Sequence, residues 1–222
     1  MINLVLKDIA IQKKMLVFAF IYTAFASFCF YSMGPNGLAL YVIAPIITNY
    51  LFISNAVNFD EKNKSEIILN SLPIKRNDIV KSKYMSIFVF VIIGFFYSIL
   101  VGFIGNAIGI SIFQGSISLL DIVLVFTSVC IFGSIFFPLY FKFGATKMKL
   151  FNIILFMLFL FLPITIINYA IKFPNFILVQ KFNYFKNNTS SLTQNSLFLI
   201  IGLIILSISL MISIRIYNNR EF

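Results

Sequence analysis

Asp60 and Glu61 are the one adjacent carboxylate pair among the seven acidic residues of this 222-residue chain. Such a pair suits a metal ion or shared acid–base work when a further ligand or base stands beside it. The chain has no histidine, which removes the commonest metal ligand and most acid–base and triad chemistry. It has neither a G-x-x-x-x-G-K-[ST] loop nor a G-x-G-x-x-G turn, so it cradles no nucleotide phosphates itself. Cys29 and Cys130 each lie inside an apolar run and read as small core residues, not as a disulfide or metal pair. Asp60 and Glu61 are therefore expected to be a solvated face. The chain is expected to have no catalytic residues, no metal and no bound cofactor of its own.

The acidic pair opens a charged segment, residues 58–83, that holds ten ionisable side chains: Asp60, Glu61, Lys62, Lys64, Glu66, Lys75, Arg76, Asp78, Lys81 and Lys83. Ile67, Ile68, Leu69 and Leu72 form a short apolar stripe within it. Residues 66–72 can make about two helical turns before Pro73 stops them. A short amphipathic helix outside a bilayer is suited to docking on a partner.

Everything around that segment is apolar. Hydrophobic residues make up 60% of the chain and charged ones 11%, so the long runs read as membrane spans in one domain, residues 1–222. No charged stretch is long enough to enclose a soluble core. The net charge of +10 is not a nucleic-acid footprint, because the basic residues sit at the ends of apolar runs. No cleavable signal peptide is expected, since no small-residue cleavage site with a polar start follows the first run.

In chain order, residues 1–14 read as an amphipathic helix lying in the interface, with Leu4, Leu6, Ile9 and Ile11 on its apolar side. Six spans follow, near residues 15–31, 38–57, 84–104, 119–141, 150–171 and 195–214. The turn at 33–37 carries Gly-Pro and Asn-Gly, both strong breakers. Pro45 and Pro163 are expected to bend their spans. Ser118 and Asp121 read as a capping pair. Residues 105–118 suit a Gly-rich outer loop or the end of a tilted span, and 172–194 a longer polar loop. With the N-terminus inside, the inner segments carry 14 of the 17 basic residues and the outer ones 3, so both ends are expected in the cytoplasm.

Polar side chains inside spans avoid lipid and face protein or a cavity. Thr23 and Ser27 in span 1, Asn49 in span 2 and Asn168 in span 5 are thus candidates for a cargo path. Interhelical hydrogen bonding is the equally plain alternative. Few ionisable groups fall inside the spans, which argues against a proton- or sodium-coupled relay.

Residues 58–84 resemble the cytoplasmic signature of small bacterial ABC-2-type permeases. The matching residues are Phe59, Asp60 and Glu61 leaving span 2, the short helix from Glu66 to Asn70, then Ser71-Leu72-Pro73, Lys75-Arg76, and Lys83-Tyr84 entering span 3. Residue matches cover about an eighth of the chain, while the layout matches throughout. The Lys/Asn/Ile/Phe bias is similar to that of staphylococcal proteins, among them the permeases of phenol-soluble modulin exporters. The resemblance implies an all-α membrane protein of the type V exporter kind: six transmembrane helices, an N-terminal interfacial helix, and a cytoplasmic coupling helix between spans 2 and 3. It implies a separate ABC-type ATPase that carries the ATP and Mg, coupled through Asp60, Glu61, Glu66, Ile67, Ile68, Leu69, Ser71, Leu72, Pro73, Lys75 and Arg76. It also implies a second six-span permease, as a homo- or heterodimer, and an amphipathic peptide or lipid-like cargo moved outward. The other class of function is a membrane immunity or sensor subunit that binds antimicrobial peptides without translocating them.

Overall fold

The computed structural model describes residues 2–30, 39–109, 117–173 and 176–220; the side chains of Glu66, Ile67, Pro163 and Asn168 are outside the described set, as is the expected turn at 33–37. The chain is all-α: α1 (Ile2–Ala10), α2 (Lys13–Cys29), a π-helical turn (Ala39–Ile43) running into α3 (Ala44–Lys62), α4 (Ser65–Ser71), α5 (Arg76–Ile108), α6 (Leu119–Lys172), α7 (Ile177–Asn188) and α8 (Ser191–Asn218). Among the described residues, four helices are long and apolar enough to cross a membrane: 40–62, 76–108, 119–144 and 191–218.

The starts and stops have local causes. Pro45 sits in the first turn of α3, where its missing N–H costs nothing. Ser118 and Asp121 form the expected capping box: Ser118 Oγ accepts from the Asp121 N–H at 3.2 Å, and the Ser118 N–H donates to Asp121 Oδ2 at 2.8 Å. At 33 residues, α5 is about 50 Å long and outreaches a hydrocarbon core of about 30 Å. Its first turns, from Arg76, therefore stand beyond the apolar layer. The polar loop expected across 172–194 instead contains α7, whose sequence, ILVQKFNYFKNN, mixes apolar and polar residues and is too short to stand out in hydropathy.

The expected basic turn near 142–149 is shorter than a loop. A single non-helical residue, Gly144 (φ 76, ψ 165), interrupts α6. Phe132 and Phe156 each lie twelve residues from it and would be about 36 Å apart on a straight helix. Both touch the Tyr50 ring, at centroid distances of 5.3 and 4.0 Å. The two arms of α6 therefore fold back alongside each other, with α3 against both. Only glycine takes that φ without strain.

The larger core cluster is aromatic-rich and draws mainly on α3, α5, α6 and α8, with Phe52, Tyr84, Ile87, Phe136, Phe141 and Tyr217 almost fully enclosed. Helices α3 and α5 approach closely at Gly94 of α5, where a Cβ would fall 2.5 Å from the amide nitrogen of Asn49 on α3.

Candidate functional site

α4 hangs between the last turn of α3 and the first turns of α5. Leu69 points inward and is buried, whereas Ile68 (55% exposed) and Leu72 (46% exposed) point out. Only part of the expected apolar stripe is thus free to meet a partner. Ser71 Oγ donates to the Ile68 carbonyl at 2.8 Å and closes the helix. Leu72 turns extended, and Pro73 and Lys75 stand exposed before α5.

This segment is also fastened to the far end of the chain. Asn70 Nδ2 donates to the Tyr217 hydroxyl at 3.2 Å. Arg76 Nη1 donates to the carbonyls of Asn218 and Arg220 at 3.1 and 3.2 Å, serving carbonyls at the end of α8. Asn218 Nδ2 donates to Asn77 Oδ1 at 2.9 Å.

The base of the segment corrects the expectation that Asp60 and Glu61 form a solvated face. Glu61 remains half-exposed, but Asp60 is buried at 2% exposure. Asp60 accepts from Lys7 Nζ at 2.7 Å through Oδ1 and pairs with Lys83 through Oδ2. Lys83 Nζ also donates to Asp8 Oδ1 at 2.8 Å, and Lys7 lies 3.5 Å from the same oxygen. Ser86 Oγ donates to Asp8 Oδ2 at 3.1 Å. Two cations and two anions thus close a neutral tetrad between α1, α3 and α5, with Asp8 and Lys83 buried. Burying a charge without a partner costs several kcal/mol, so each member requires the others.

Sequence reasoning missed Lys7 and Asp8 altogether and gave Lys83 no role. A signal was present: Leu4, Asp8 and Gln12 are four apart, and all three are buried on the inward side of α1 and its turn. Gln12 Nε2 donates to the Phe52 carbonyl of α3 at 3.0 Å. Ile2 and Leu6 point away from the protein, 76% and 55% exposed. An interfacial helix presents such a side to lipid.

Tyr84, next to Lys83, fixes α5 to α8. Its hydroxyl lies 2.7 Å from both Ser209 Oγ and Ser213 Oγ. Ser209 Oγ donates to the Ser134 carbonyl of α6 at 2.7 Å. With that proton committed, Tyr84 donates to Ser209 and accepts from Ser213. The Lys83-Tyr84 pair therefore anchors α5 to α1 and α3 through one side chain and to α6 and α8 through the next.

Three of the cargo-path candidates, Thr23, Ser27 and Asn49, are buried. Thr23 Oγ1 donates to the Ala19 carbonyl at 2.7 Å and lies 3.1 Å from Thr48 Oγ1. Ser27 Oγ donates to the Thr23 carbonyl at 2.7 Å. Asn49 Nδ2 donates to the Pro45 carbonyl at 2.8 Å, and its buried Oδ1 has no hydrogen-bond partner among the described residues. The Thr23–Thr48 contact joins α2 to α3, and Asn49 lies against Gly94 of α5; the side chain of Asn168 is outside the described set.

A family model described as ABC-2 family transporter protein matches residues 3–218. The chain belongs to the ABC-2 family. No curated protein and no solved structure matches it. ABC-2 membership identifies a multi-pass membrane permease of an ABC transporter and implies a partner ATPase.

Proposed function

We propose that the chain is one six-span subunit of an ATP-driven exporter, with both ends in the cytoplasm and α4 as the coupling helix. The observation that carries this reading is the outward pair Ile68 and Leu72 on a segment braced beneath by the Asp60–Lys83 pair and behind by Tyr217. The two apolar side chains enter a groove of the ATPase, and the brace delivers the ATPase's movement to α3 and α5. ATP and Mg stay on that partner. A second six-span permease completes the transporter, and no residue of this chain does catalysis. The α2 and second-arm α6 helices are the two spans beyond the four already counted. Thr23, Ser27, Asn49 and Asn168 lie on helices that border the cargo path.

The cargo is amphipathic, a peptide of the phenol-soluble modulin kind or a lipid-like molecule, because exposed span surfaces carry aromatics such as Phe25, Phe28 and Phe161 and few charges. A second reading, an immunity or sensor subunit, draws support from α7, whose Ile177 and Tyr184 are 67% and 72% exposed and offer a surface for a bound peptide. ATP-dependent movement of peptide into inverted vesicles belongs to the exporter alone.

Leu72→Asp tests the docking. A carboxylate in the docked groove costs about 3 kcal/mol of desolvation, so association with the ATPase should fall by about 100-fold in a co-purification titration. Unchanged association would remove α4 from the interface. Topology is tested by single cysteines at Asn188 and Asn63, both exposed. Impermeant maleimide added to whole cells should label the first and miss the second; the reverse pattern would end the ends-inside arrangement.

A further inference from the structure

Beside the tetrad, on the opposite side of the same turn of α3, lies an open cleft of about 740 Å³ lined by Asn58, Glu61, Lys62, Asn152 and Ile153. Asn58, Glu61 and Lys62 are spaced i, i+3, i+4 and so share one face of α3. Asn152 is held in place on α6: its Nδ2 donates to Ser54 Oγ at 3.0 Å, and its carbonyl accepts from the Tyr50 hydroxyl at 3.5 Å. Unlike Asp60, Glu61 has no ion pair among the described residues. The cleft thus offers one free carboxylate, one ammonium and two carboxamides at the end of an apolar helix.

From its floor an apolar line leaves along α6. Ile153, Met157 and Phe161 are four residues apart and 56%, 48% and 56% exposed. A polar cleft with a charge of each sign, continuous with a strip of exposed apolar side chains, has the form of a head-and-tail site. We propose that this cleft binds a zwitterionic phospholipid of the leaflet on the α4 side. Glu61 takes the head group's ammonium, Lys62 its phosphate, and the acyl chain lies along Ile153, Met157 and Phe161. Asn58 and Asn152 bond the phosphate and ester oxygens.

The test is native mass spectrometry of the detergent-purified chain titrated with phosphatidylethanolamine and with phosphatidylglycerol of matched acyl chains. The second lipid has the phosphate and lacks the ammonium. The wild type should bind the ethanolamine lipid about 10-fold more tightly, the effect of one charge-assisted contact. Glu61→Gln should abolish the preference and leave the glycerol lipid's affinity unchanged. Lys62→Gln should weaken both lipids by similar factors, and it decides the matter alone if Glu61→Gln does not fold. No preference in the wild type, equal weakening of both lipids by Glu61→Gln, or no effect of Lys62→Gln would overturn the site. So would displacement of the bound ethanolamine lipid by an added cationic amphipathic peptide that itself stays bound, which would give the cleft to cargo.

Discussion

Lys83→Met is expected to be among the most damaging single changes in this protein. Methionine keeps an unbranched apolar stem one atom shorter but removes the ammonium that joins Asp8 to Asp60. Two buried carboxylates would then share Lys7, which is itself partly exposed. Removing one partner of a buried ion pair costs about 3–5 kcal/mol. For a chain of this size that lowers the thermal midpoint by roughly 10 °C. The measurement is thermal unfolding of the purified chain in detergent, followed by circular dichroism. Adding Asp8→Asn to Lys83→Met removes one of the stranded charges and should recover part of the loss. A midpoint within about 2 °C of wild type for Lys83→Met would show that the tetrad is not a closed buried unit.

The second large effect is expected at Tyr84. Truncation to alanine removes a fully buried ring from the centre of the α5–α6–α8 packing and should cost about 3–5 kcal/mol. Tyr84→Phe separates the hydroxyl from the ring. It keeps the contact with Phe137, 5.0 Å between centroids, and loses only the two bonds to Ser209 and Ser213. That change should cost about 1–3 kcal/mol. If Tyr84→Phe were as harmful as Tyr84→Ala, the hydroxyl chain to Ser209, Ser213 and Ser134 would be the main bond between these helices and the ring secondary. If Tyr84→Phe were silent, Ser213 would have found another acceptor, Ser209 would be held by its bond to the Ser134 carbonyl alone, and the phenolic hydroxyl would add nothing to this joint.

The helices and the site were legible to different degrees, for physical reasons. Residues 66–72 were readable as a short helix because Pro73 sets a hard stop, and α4 falls at Ser65–Ser71. The long apolar helices were readable because a span needs a length of apolar sequence that nothing else in a protein needs. The tetrad was not. Asp8 and Lys83 are 75 residues apart, and each has other charges close by in sequence, so each looks solvated until the fold brings them together. The same holds for Arg76, which resembles a free basic residue and serves the end of α8. α7 was missed for the opposite reason, since a helix of 12 residues that mixes Ile, Leu, Val, Phe and Tyr with Gln, Lys and Asn leaves little trace in hydropathy. Thr23, Ser27 and Asn49 were recognised as groups that must avoid lipid, but composition alone does not distinguish a wall of a passage from a joint between helices.

The single-residue reversal at Gly144 limits how this subunit can move. Two helices joined by a flexible loop can slide past one another along their lengths. Two arms joined through one residue, with helical hydrogen bonding resuming on both sides, have no slack for axial travel. Their remaining freedom is rotation about that joint, as with the legs of a compass. Arg220 lies across the joint: its Nη1 donates to the Phe141 carbonyl at 3.3 Å, and its Nη2 would lie 3.5 Å from a Cβ placed on Gly144. Opening and closing at the opposite ends of the α6 arms, where displacement from a fixed pivot is greatest, is therefore a hinge motion and not a shear.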